Sequence, residues 1–147
     1  MSERAKHILE KYNLPLSKFY ELPVLEFKQK KYQYYYMQII HNPYDFSFID
    51  FKKSTFVKTD FFQENETEIS FRDELELNKA FKNLDDLEEK ILPDKIVLND
   101  FYLESKLDMF QLDKLYFPFV INSKIHRDFL ENNISGIIMT EVDIALK

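Results

Sequence analysis

Apolar residues in the first half of the chain follow the pattern of β-strands. The run KYQYYYMQII, from Lys31 to Ile40, is rich in aromatic and β-branched residues, and so are Phe46–Phe51 and Thr55–Phe62. Strands favour these residue types. The connections between the segments are too short for helical crossovers, so we expect antiparallel pairing. We also expect Glu68–Phe71 to extend this sheet.

From Asp73 onward the apolar positions change to helical spacing. The stripe consists of Leu77, Ala80 or Phe81, Leu84, Leu87 and Ile91. The acidic side chains of the segment lie off this stripe. Ser70 or Asp73 is suited to cap the start of the helix, and Pro93 is suited to stop it. The pattern predicts a central amphipathic helix over Asp73–Ile91 with an acidic outer face.

Both sides of this helix carry further element signals. Ser2 is suited to cap a short N-terminal helix. Short apolar segments that follow Pro93 are typical of strands. These segments are Lys95–Leu98, Phe101–Leu103, Met109–Leu112 and Pro118–Ile121.

The C-terminal segment predicts a strand-helix-strand unit. Asn122 or Ser123 can cap a helix over Lys124–Glu131. We expect the inward face of that helix to consist of Ile125, Phe129 and Leu130. Asn132–Asn133 is suited to end the helix, because Asn tolerates the left-handed conformation. Ile137–Val142 is then expected to form a last strand.

Together these elements predict an α+β fold. It consists of mainly antiparallel sheet, a central acidic amphipathic helix and a C-terminal strand-helix-strand unit. The chain of 147 residues has the length of one ordinary domain, so we expect a single domain spanning residues 1–147. The content of 45% hydrophobic and 31% charged residues is that of a folded protein rather than a disordered segment.

The composition argues against several kinds of functional site. The chain has no cysteine, which excludes disulfides, thiolate metal sites and a cysteine nucleophile. One glycine, Gly136, cannot build the glycine-rich loops that cradle phosphates. The histidines His7, His41 and His126 lie far apart, without the spacing of a metal-binding pair. We therefore expect no catalysis, no cofactor and no bound metal.

Hydropathy also bears on location. The start MSERAKHILEK mixes charges every few residues and lacks the apolar core of a secretory signal. The longest apolar runs are far shorter than the roughly 20 residues needed to cross a bilayer. We expect a cytoplasmic protein that does not insert into membranes.

The formal net charge of -6 is concentrated in the middle of the chain, where residues 59–94 hold twelve acidic and four basic side chains. Such a cluster forms either a solvated surface or a patch that recognises a basic partner. Nucleic acid is not expected as a partner, because phosphate binding requires a basic face. The run Tyr32–Tyr36 beside Lys28, Lys30 and Lys31 could stack bases. Strand alternation instead favours packing within the sheet for most of these rings.

Three segments carry a resemblance to a known family. NPYDFSFIDFKKSTF contains Asp50, Lys53 and Ser54 at the positions where the family passes from a strand into a short Lys-Ser segment. LDMFQL, from Leu107, is similar to the family's Asp-x-Phe-x-Leu strand. FVINSKIHRDFLENNISGI, from Phe119, is similar to its terminal strand, Ser-capped helix and Ile-x-Gly turn. The chain resembles the immunity-protein family of bacterial polymorphic toxin loci, the eleventh such family, formerly a domain of unknown function.

The resemblance implies an inhibitor that binds and neutralises a cognate toxin in the cytosol. Since the family motifs are structural, the binding residues must come from the charge pattern. The acidic middle segment predicts contact with a basic face of the toxin. The candidate partner-binding residues are Glu64, Glu66, Glu68, Asp85, Asp86, Glu88 and Glu89. The alternative is a non-catalytic adaptor or structural domain that uses a sheet face or edge for assembly, and the oligomeric state is left open.

Overall fold

Helices and strands both occur in the computed structural model, which describes residues 1–60, 62, 64–84, 88–140 and 144–146. This confirms the α+β class. The helices are α1 (Glu3–Leu9), α2 (Glu74–Asn83), α3 (Asp100–Ser105) and α4 (Ser123–Glu131), with a 3-10 turn at Asp113–Leu115. The strands are β1 (Ser17–Glu21), β2 (Leu25–Phe27), β3 (Lys30–Tyr32), β4 (Tyr35–Ile39), β5 (Thr55–Asp60), β6 (Glu66–Ile69), β7 (Glu89–Leu98), β8 (Met109–Leu112), β9 (Phe117–Ile121) and β10 (Ile144–Leu146).

The chain divides into two compact units. The first consists of Met1–Asn42, Lys106–Gln111 and Phe119–Met139, and the second of Pro43–Ser105, Leu112–Pro118 and Thr140–Lys147. Two such units can belong to one domain or to two, so the single domain stays a prediction. None of the helices in the described part of the chain has the length and apolar character required to cross a membrane.

In the first unit an antiparallel ribbon of β1 and β4 packs against α1 and α4. Met37 of β4, Ile8 and Leu9 of α1, and Ile125 and Phe129 of α4 belong to one buried cluster. The predicted N-terminal helix is confirmed, and its cap forms as expected. The N–H of the third helical residue donates to the Ser2 side-chain oxygen over 3.3 Å.

Buried and exposed side chains alternate along β4 as expected, but fewer of the tyrosine rings are buried than predicted. Tyr35 and Met37 are buried, whereas Tyr32, Tyr34 and Tyr36 are exposed. The expectation that most of these rings pack within the sheet is therefore wrong for the Tyr32, Tyr34 and Tyr36 face.

The C-terminal helix of the first unit forms where the sequence predicts it. Asn122 caps α4, because its side-chain oxygen accepts from the N–H groups of the second and third following residues at 3.1 and 3.0 Å. Asn133 follows the helix with φ at 51°. Ile125 and Phe129 are buried as predicted, but Leu130 is 60% exposed. Leu130 lies five positions after Ile125, off the face that residues four apart share.

The second unit is built on a mixed four-stranded sheet in the order β10-β7-β5-β6. β5 pairs antiparallel with both β6 and β7, and β10 pairs parallel with the end of β7. Leu77 of α2 is fully buried, and the ring of Phe81 stacks on that of Phe46 at 5.7 Å. Phe56 of β5 is also fully buried, with its ring edge-on to Phe71 at 5.2 Å. These aromatic contacts form much of the core of this unit.

The segment Phe46–Phe51 does not form the predicted strand. It consists of turns, with one isolated bridge between Ile49 and Leu98. The N–H of Asp50 donates to the carbonyl of Val97 over 2.8 Å, and the N–H of Asn99 donates to the carbonyl of Phe48 over 2.9 Å. The aromatic residues of this segment are therefore placed by contacts with β7 rather than by a ladder of their own.

The three family-like positions Asp50, Lys53 and Ser54 lie in one turn after this segment. The N–H of Ser54 donates to the Asp50 carbonyl over 3.0 Å, and the Lys53 ammonium lies 3.8 Å from the Asp50 carboxylate. Ser54 is buried, and its hydroxyl oxygen accepts from the N–H of Val97 over 3.0 Å and donates to the Val97 carbonyl over 3.4 Å. We call Asp50–Ser54 the anchored turn, because this serine fixes it to β7.

The central helix is shorter than predicted. It begins after Asp73, whose carboxylate accepts the N–H of Glu76 over 2.9 Å, and it ends at Asn83. Ile91 and Pro93 do not follow the helix but lie inside β7, opposite Lys58 and Phe56 of β5. Pairing with β5 along most of β7 overrides the helical spacing of this segment.

Two further strands were predicted wrongly. Phe101–Leu103 lies in α3, where the Asn99 side-chain oxygen accepts the N–H of Tyr102 over 3.2 Å and so favours a helix start. Residues 137–140 form no strand, and Val142 lies outside the described residues. The last strand is instead Ile144–Leu146.

Among the residues that the structure describes, five that are not glycine adopt left-handed backbone conformations. They are Lys28, Gln29, Lys106, Tyr116 and Asn133, with φ between 49° and 63°. Lys28 and Gln29 form the two-residue connection of the β2–β3 hairpin, and positive φ at both positions is typical of the type I′ turn, whose twist matches that of the strands. Gly136 has φ at 80°.

Candidate functional site

Carboxylates from three neighbouring strands meet at one end of the four-stranded sheet. Because β5 runs antiparallel to both of its neighbours, its last residue lies beside their first residues. Asp60 is opposite Glu89, and the preceding Thr59 is opposite Glu66. Glu64 and Glu88 stand just before β6 and β7. We call Asp60, Glu64, Glu66, Glu88 and Glu89 the acidic sheet end.

The two faces of the sheet divide these side chains. Glu66 and Glu68 are two positions apart in β6, so they share one face, and both are exposed. Thr59 is paired with Glu66 on one side and with Lys90 of β7 on the other. The backbones at Glu66 and Lys90 therefore lie two strand spacings, roughly 10 Å, apart. Glu89 alternates to the other face, where Lys58 lies.

Some of the acidic side chains are already engaged. The Lys58 ammonium lies 2.7 Å from the Glu89 carboxylate. Asp60 accepts the backbone N–H of Glu64 over 2.9 Å and the side-chain amide of Asn65 over 2.6 Å, so it organises the β5–β6 loop. Within the described residues the carboxylates of Glu66, Glu68 and Glu88 form no ion pair. These three side chains therefore present uncompensated negative charge.

The prediction that the central helix has an acidic outer face is wrong. α2 carries two glutamates and two lysines, so it has no net charge. Glu88 stands in a turn and Glu89 begins β7. Asp85 and Asp86 lie outside the described residues. The physical reason is that Glu88 and Glu89 belong to a turn and to a strand that pairs with β5, and not to the helix.

The structure thus brings together Glu64, Glu66, Glu88 and Glu89, with Glu68 one step further along the same exposed strand. Sequence reasoning missed Asp60. Its signal would have been antiparallel pairing of Thr55–Asp60 with Glu89–Leu98, because that pairing places the end of one strand beside the start of the other.

Strand β6 is also an edge of the sheet among the described strands. An edge strand presents unpaired backbone groups to other chains, and charged side chains limit indiscriminate pairing there. Glu66 and Glu68 supply such charges on the exposed face. The arrangement is suited to recognise a partner that is basic, since complementary charge raises both association rate and specificity.

Groups suited to catalysis are not concentrated here. His7 on α1 and His126 on α4 are exposed. A recess beside α2 includes apolar residues such as Phe71 and Leu84, with Lys58 and Glu76 as its ionisable side chains. No set of three His, Asp or Glu residues in the described ranges could hold a metal ion. The absence of enzymatic activity stays a prediction.

Two side chains with altered pKa values lie in the first unit rather than at the acidic sheet end. The bond to the Glu10 carboxylate, at 2.8 Å, raises the pKa of Lys6. The Tyr12 hydroxyl donates to the Asp128 carboxylate over 2.7 Å, and this bond raises the pKa of Tyr12. Because the Tyr12 bond joins the segment after α1 to α4, its role is structural.

Comparisons of the chain with models of protein families, with characterised proteins and with solved structures find no match.

Proposed function

We propose that this protein is an immunity protein that neutralises a cognate bacterial toxin by stoichiometric contact, and that the acidic sheet end with Glu68 forms its binding surface. The observation that carries the proposal is the convergence of Glu64 and Glu66 with Glu88, from two segments of the chain, onto one end of a sheet. The resemblance described above supplies the class of partner, a toxin domain with a basic face.

Binding at this surface is electrostatic in its first step. Glu66, Glu68 and Glu88 carry charge that no described cation compensates, so they attract a basic surface over a Debye length of about 8 Å at physiological salt. Toxins that act on anionic substrates present basic sites. A carboxylate array that occupies such a site excludes the substrate.

The sheet gives the array a fixed geometry. Glu66 and Glu68 stand on a strand whose backbone is paired with Val57 and Thr59 of β5, and Thr59 is buried. Side chains held on a paired strand lose less conformational freedom on binding than side chains on a loop. The array therefore favours one orientation of the partner.

The test uses the gene beside that of this protein, which the proposal expects to encode a toxin-like domain. Co-expression of the two chains in bacteria is expected to rescue growth, and the Glu66→Lys/Glu68→Lys variant is expected to lose rescue. In binding kinetics the same variant should lower the association rate constant about 10- to 100-fold and flatten its dependence on salt.

The matched control is Glu104→Lys/Glu131→Lys, which makes the same change in net charge. Both control residues are exposed near helix C-termini, where lysine is favoured. Equal rescue and equal kinetics for the two double variants would remove the acidic sheet end from the interface. Failure of the wild-type chain to rescue growth or to bind would contradict the immunity function itself and would favour the adaptor alternative.

A further inference from the structure

The β1–β4 ribbon has one outer face that is exposed and mainly apolar. Its side chains form four cross-strand rows. The rows are Leu16 with Ile40, Lys18 with Gln38, Tyr20 with Tyr36, and Leu22 with Tyr34. We call these eight residues the tyrosine face.

The rows follow from the register of the ribbon. Lys18 is opposite Gln38 and Tyr20 is opposite Tyr36 in the antiparallel ladder. The ladder continues at both ends, where the N–H of Ile40 donates to the Leu16 carbonyl over 2.8 Å and the N–H of Leu22 donates to the Tyr34 carbonyl over 2.9 Å. Alternate residues face the core, so the tyrosine face is the outward surface of a buried framework.

The exposed area is large for a chain of this size. Leu16 is 70%, Tyr36 56% and Ile40 54% exposed, and the other three apolar residues of the face are 36–42% exposed. Since a large aromatic side chain presents about 150–250 Å² in full, the six expose roughly 600 Å² together. The largest apolar patch of a typical monomer is about 300–600 Å², and a standard interface buries about 800 Å² per partner. With Lys18 and Gln38 included, the tyrosine face reaches the size of an interface.

We infer that the tyrosine face is a homodimer interface, on which a second copy of this chain packs sheet to sheet. A two-fold axis that runs parallel to the strands places each row over the same row of the second copy. The two residues of the row are exchanged, so the β1 residue of one copy faces the β4 residue of the other. Lys18 then meets Gln38 of the second copy, and Tyr20 meets Tyr36. The polar row lies on the polar row and the apolar rows on the apolar rows.

This self-complementarity is the condition that a two-fold interface has to satisfy. The exchange keeps the two lysines from directly facing each other. Sheets that pack in this way keep their strands within about 30° of each other and lie about 10 Å apart. Tyrosine suits such a contact because it buries a large ring and leaves its hydroxyl at the rim.

The charge of the face favours a second copy over single-stranded nucleic acid. Stacking platforms for nucleic acid combine aromatic rings with a groove of several cations. Lys18 is the one cation among the eight residues, and its ammonium lies 4.9 Å from the centre of the Tyr20 ring. A face with three apolar rows and one cation matches itself better than it matches a chain of phosphates.

The first test is the mass of the full chain in solution by sedimentation equilibrium over a wide range of concentrations. The expected mass is twice the 17.9 kDa of one chain. Tyr36→Glu should raise the dissociation constant of the dimer about 100-fold or more, because each of the two copies loses an aromatic anchor. The control Leu130→Glu changes a residue that is 60% exposed on α4, which packs on the inner side of the ribbon, and it should leave the dimer intact. Circular dichroism is used to check that both variants are folded.

The second test probes the pairing of rows. The chain has no cysteine, so Lys18→Cys and Gln38→Cys give single-thiol proteins. A mixture of the two should cross-link efficiently with a short bismaleimide. A mixture of Lys124→Cys and Arg127→Cys should not, because these exposed residues lie on α4, which packs on the inner face of the ribbon.

A single-chain mass at every concentration, or a dimer that Tyr36→Glu leaves unchanged, overturns the proposal. Equal cross-linking in the two mixtures overturns the row pairing. Binding of a fluorescent oligothymidylate that Tyr36→Glu abolishes, together with a single-chain mass, would assign the face to nucleic acid instead. None of these measurements involves the toxin, so the outcome is independent of the proposed function.

Discussion

The two ends of strand β7 differ in nearly every physical respect. The start, Glu89–Lys90, is partly exposed, and Glu89 pairs across the sheet with Lys58. The end, Ile96–Leu98, is buried, pairs with β10, and is bonded to Asp50 and Ser54. One strand thus carries a charged surface at its start and part of the core at its end.

Residues that stabilise the second unit therefore lie at one end of β7, and residues that we propose to bind a partner lie at the other. Burial of apolar side chains and satisfaction of buried backbone groups dominate stability, and both are concentrated at the end of β7. Exposed carboxylates contribute little to stability. Substitutions at the start of β7 can therefore change the fit to a binding partner at little cost in stability. Substitutions at each end of β7 test this division.

The largest effect is expected for Leu98→Ala. Leu98 is 1% exposed, and its truncation leaves a cavity that lowers the free energy of unfolding by about 2–5 kcal/mol. Urea denaturation followed by circular dichroism measures the change. The matched control is Leu103→Ala on α3, at a residue that is 40% exposed, and its effect should be clearly smaller. Similar losses for the two variants would contradict the assignment of the core to the end of β7.

A smaller effect is expected for Ser54→Ala. The substitution removes the acceptor of the Val97 N–H, which lies 3.0 Å away in a buried site. An unsatisfied buried donor costs about 1–3 kcal/mol of unfolding free energy. Thermal and urea unfolding measure it, with Ser70→Ala as control because Ser70 is exposed. If both serines tolerate alanine equally, the anchored turn is not fixed by its hydroxyl.

The smallest effect is expected for Glu89→Gln. Its ion pair with Lys58 is at 2.7 Å, but both side chains are more than a third exposed, so the loss should be below about 1 kcal/mol and should shrink in high salt. Glu88→Gln, which removes a carboxylate without a described ion pair, is the control. A loss as large as that of Ser54→Ala would show that the start of β7 is also structural.

Local signals were sufficient to predict several elements. Ser2 and Asn122 cap helices where the sequence places them, and Met109–Leu112 forms a strand with the predicted bounds. In each case the signal lies within a few residues, in a capping side chain or a short apolar run. The periodicity of Ile125 and Phe129 also placed the buried face of α4 correctly.

The failures arise where distant pairing decides the structure. Ile91 fits a helical stripe, but β5 pairs with this residue and makes it part of a strand. Phe46–Phe51 has strand composition, yet hydrogen bonds to Val97 and Asn99 hold it as turns. Such partners are about 30 to 50 positions away along the chain, outside the reach of local propensity.

The candidate site shows the same division. The charge pattern identified Glu64, Glu66 and Glu68 as exposed acidic residues, which the structure confirms. It could not show that Glu88 and Asp60 lie at the same end of one sheet, because this requires the order and direction of the strands. It also placed the acidity on a helix, because the apolar stripe that predicted the helix continues to Ile91, past Glu88 and Glu89.

The left-handed residues have a consequence for how this protein can evolve. Lys28, Gln29, Lys106 and Tyr116 hold a conformation that disfavours an L side chain by roughly 1–2 kcal/mol. Glycine or asparagine adopts the same conformation at lower cost. Mutational paths to greater stability are therefore open at positions away from the acidic sheet end and from the outward side chains of the β1–β4 ribbon. Stabilising substitutions at these positions can offset destabilising substitutions at a binding surface that adapts to a new partner.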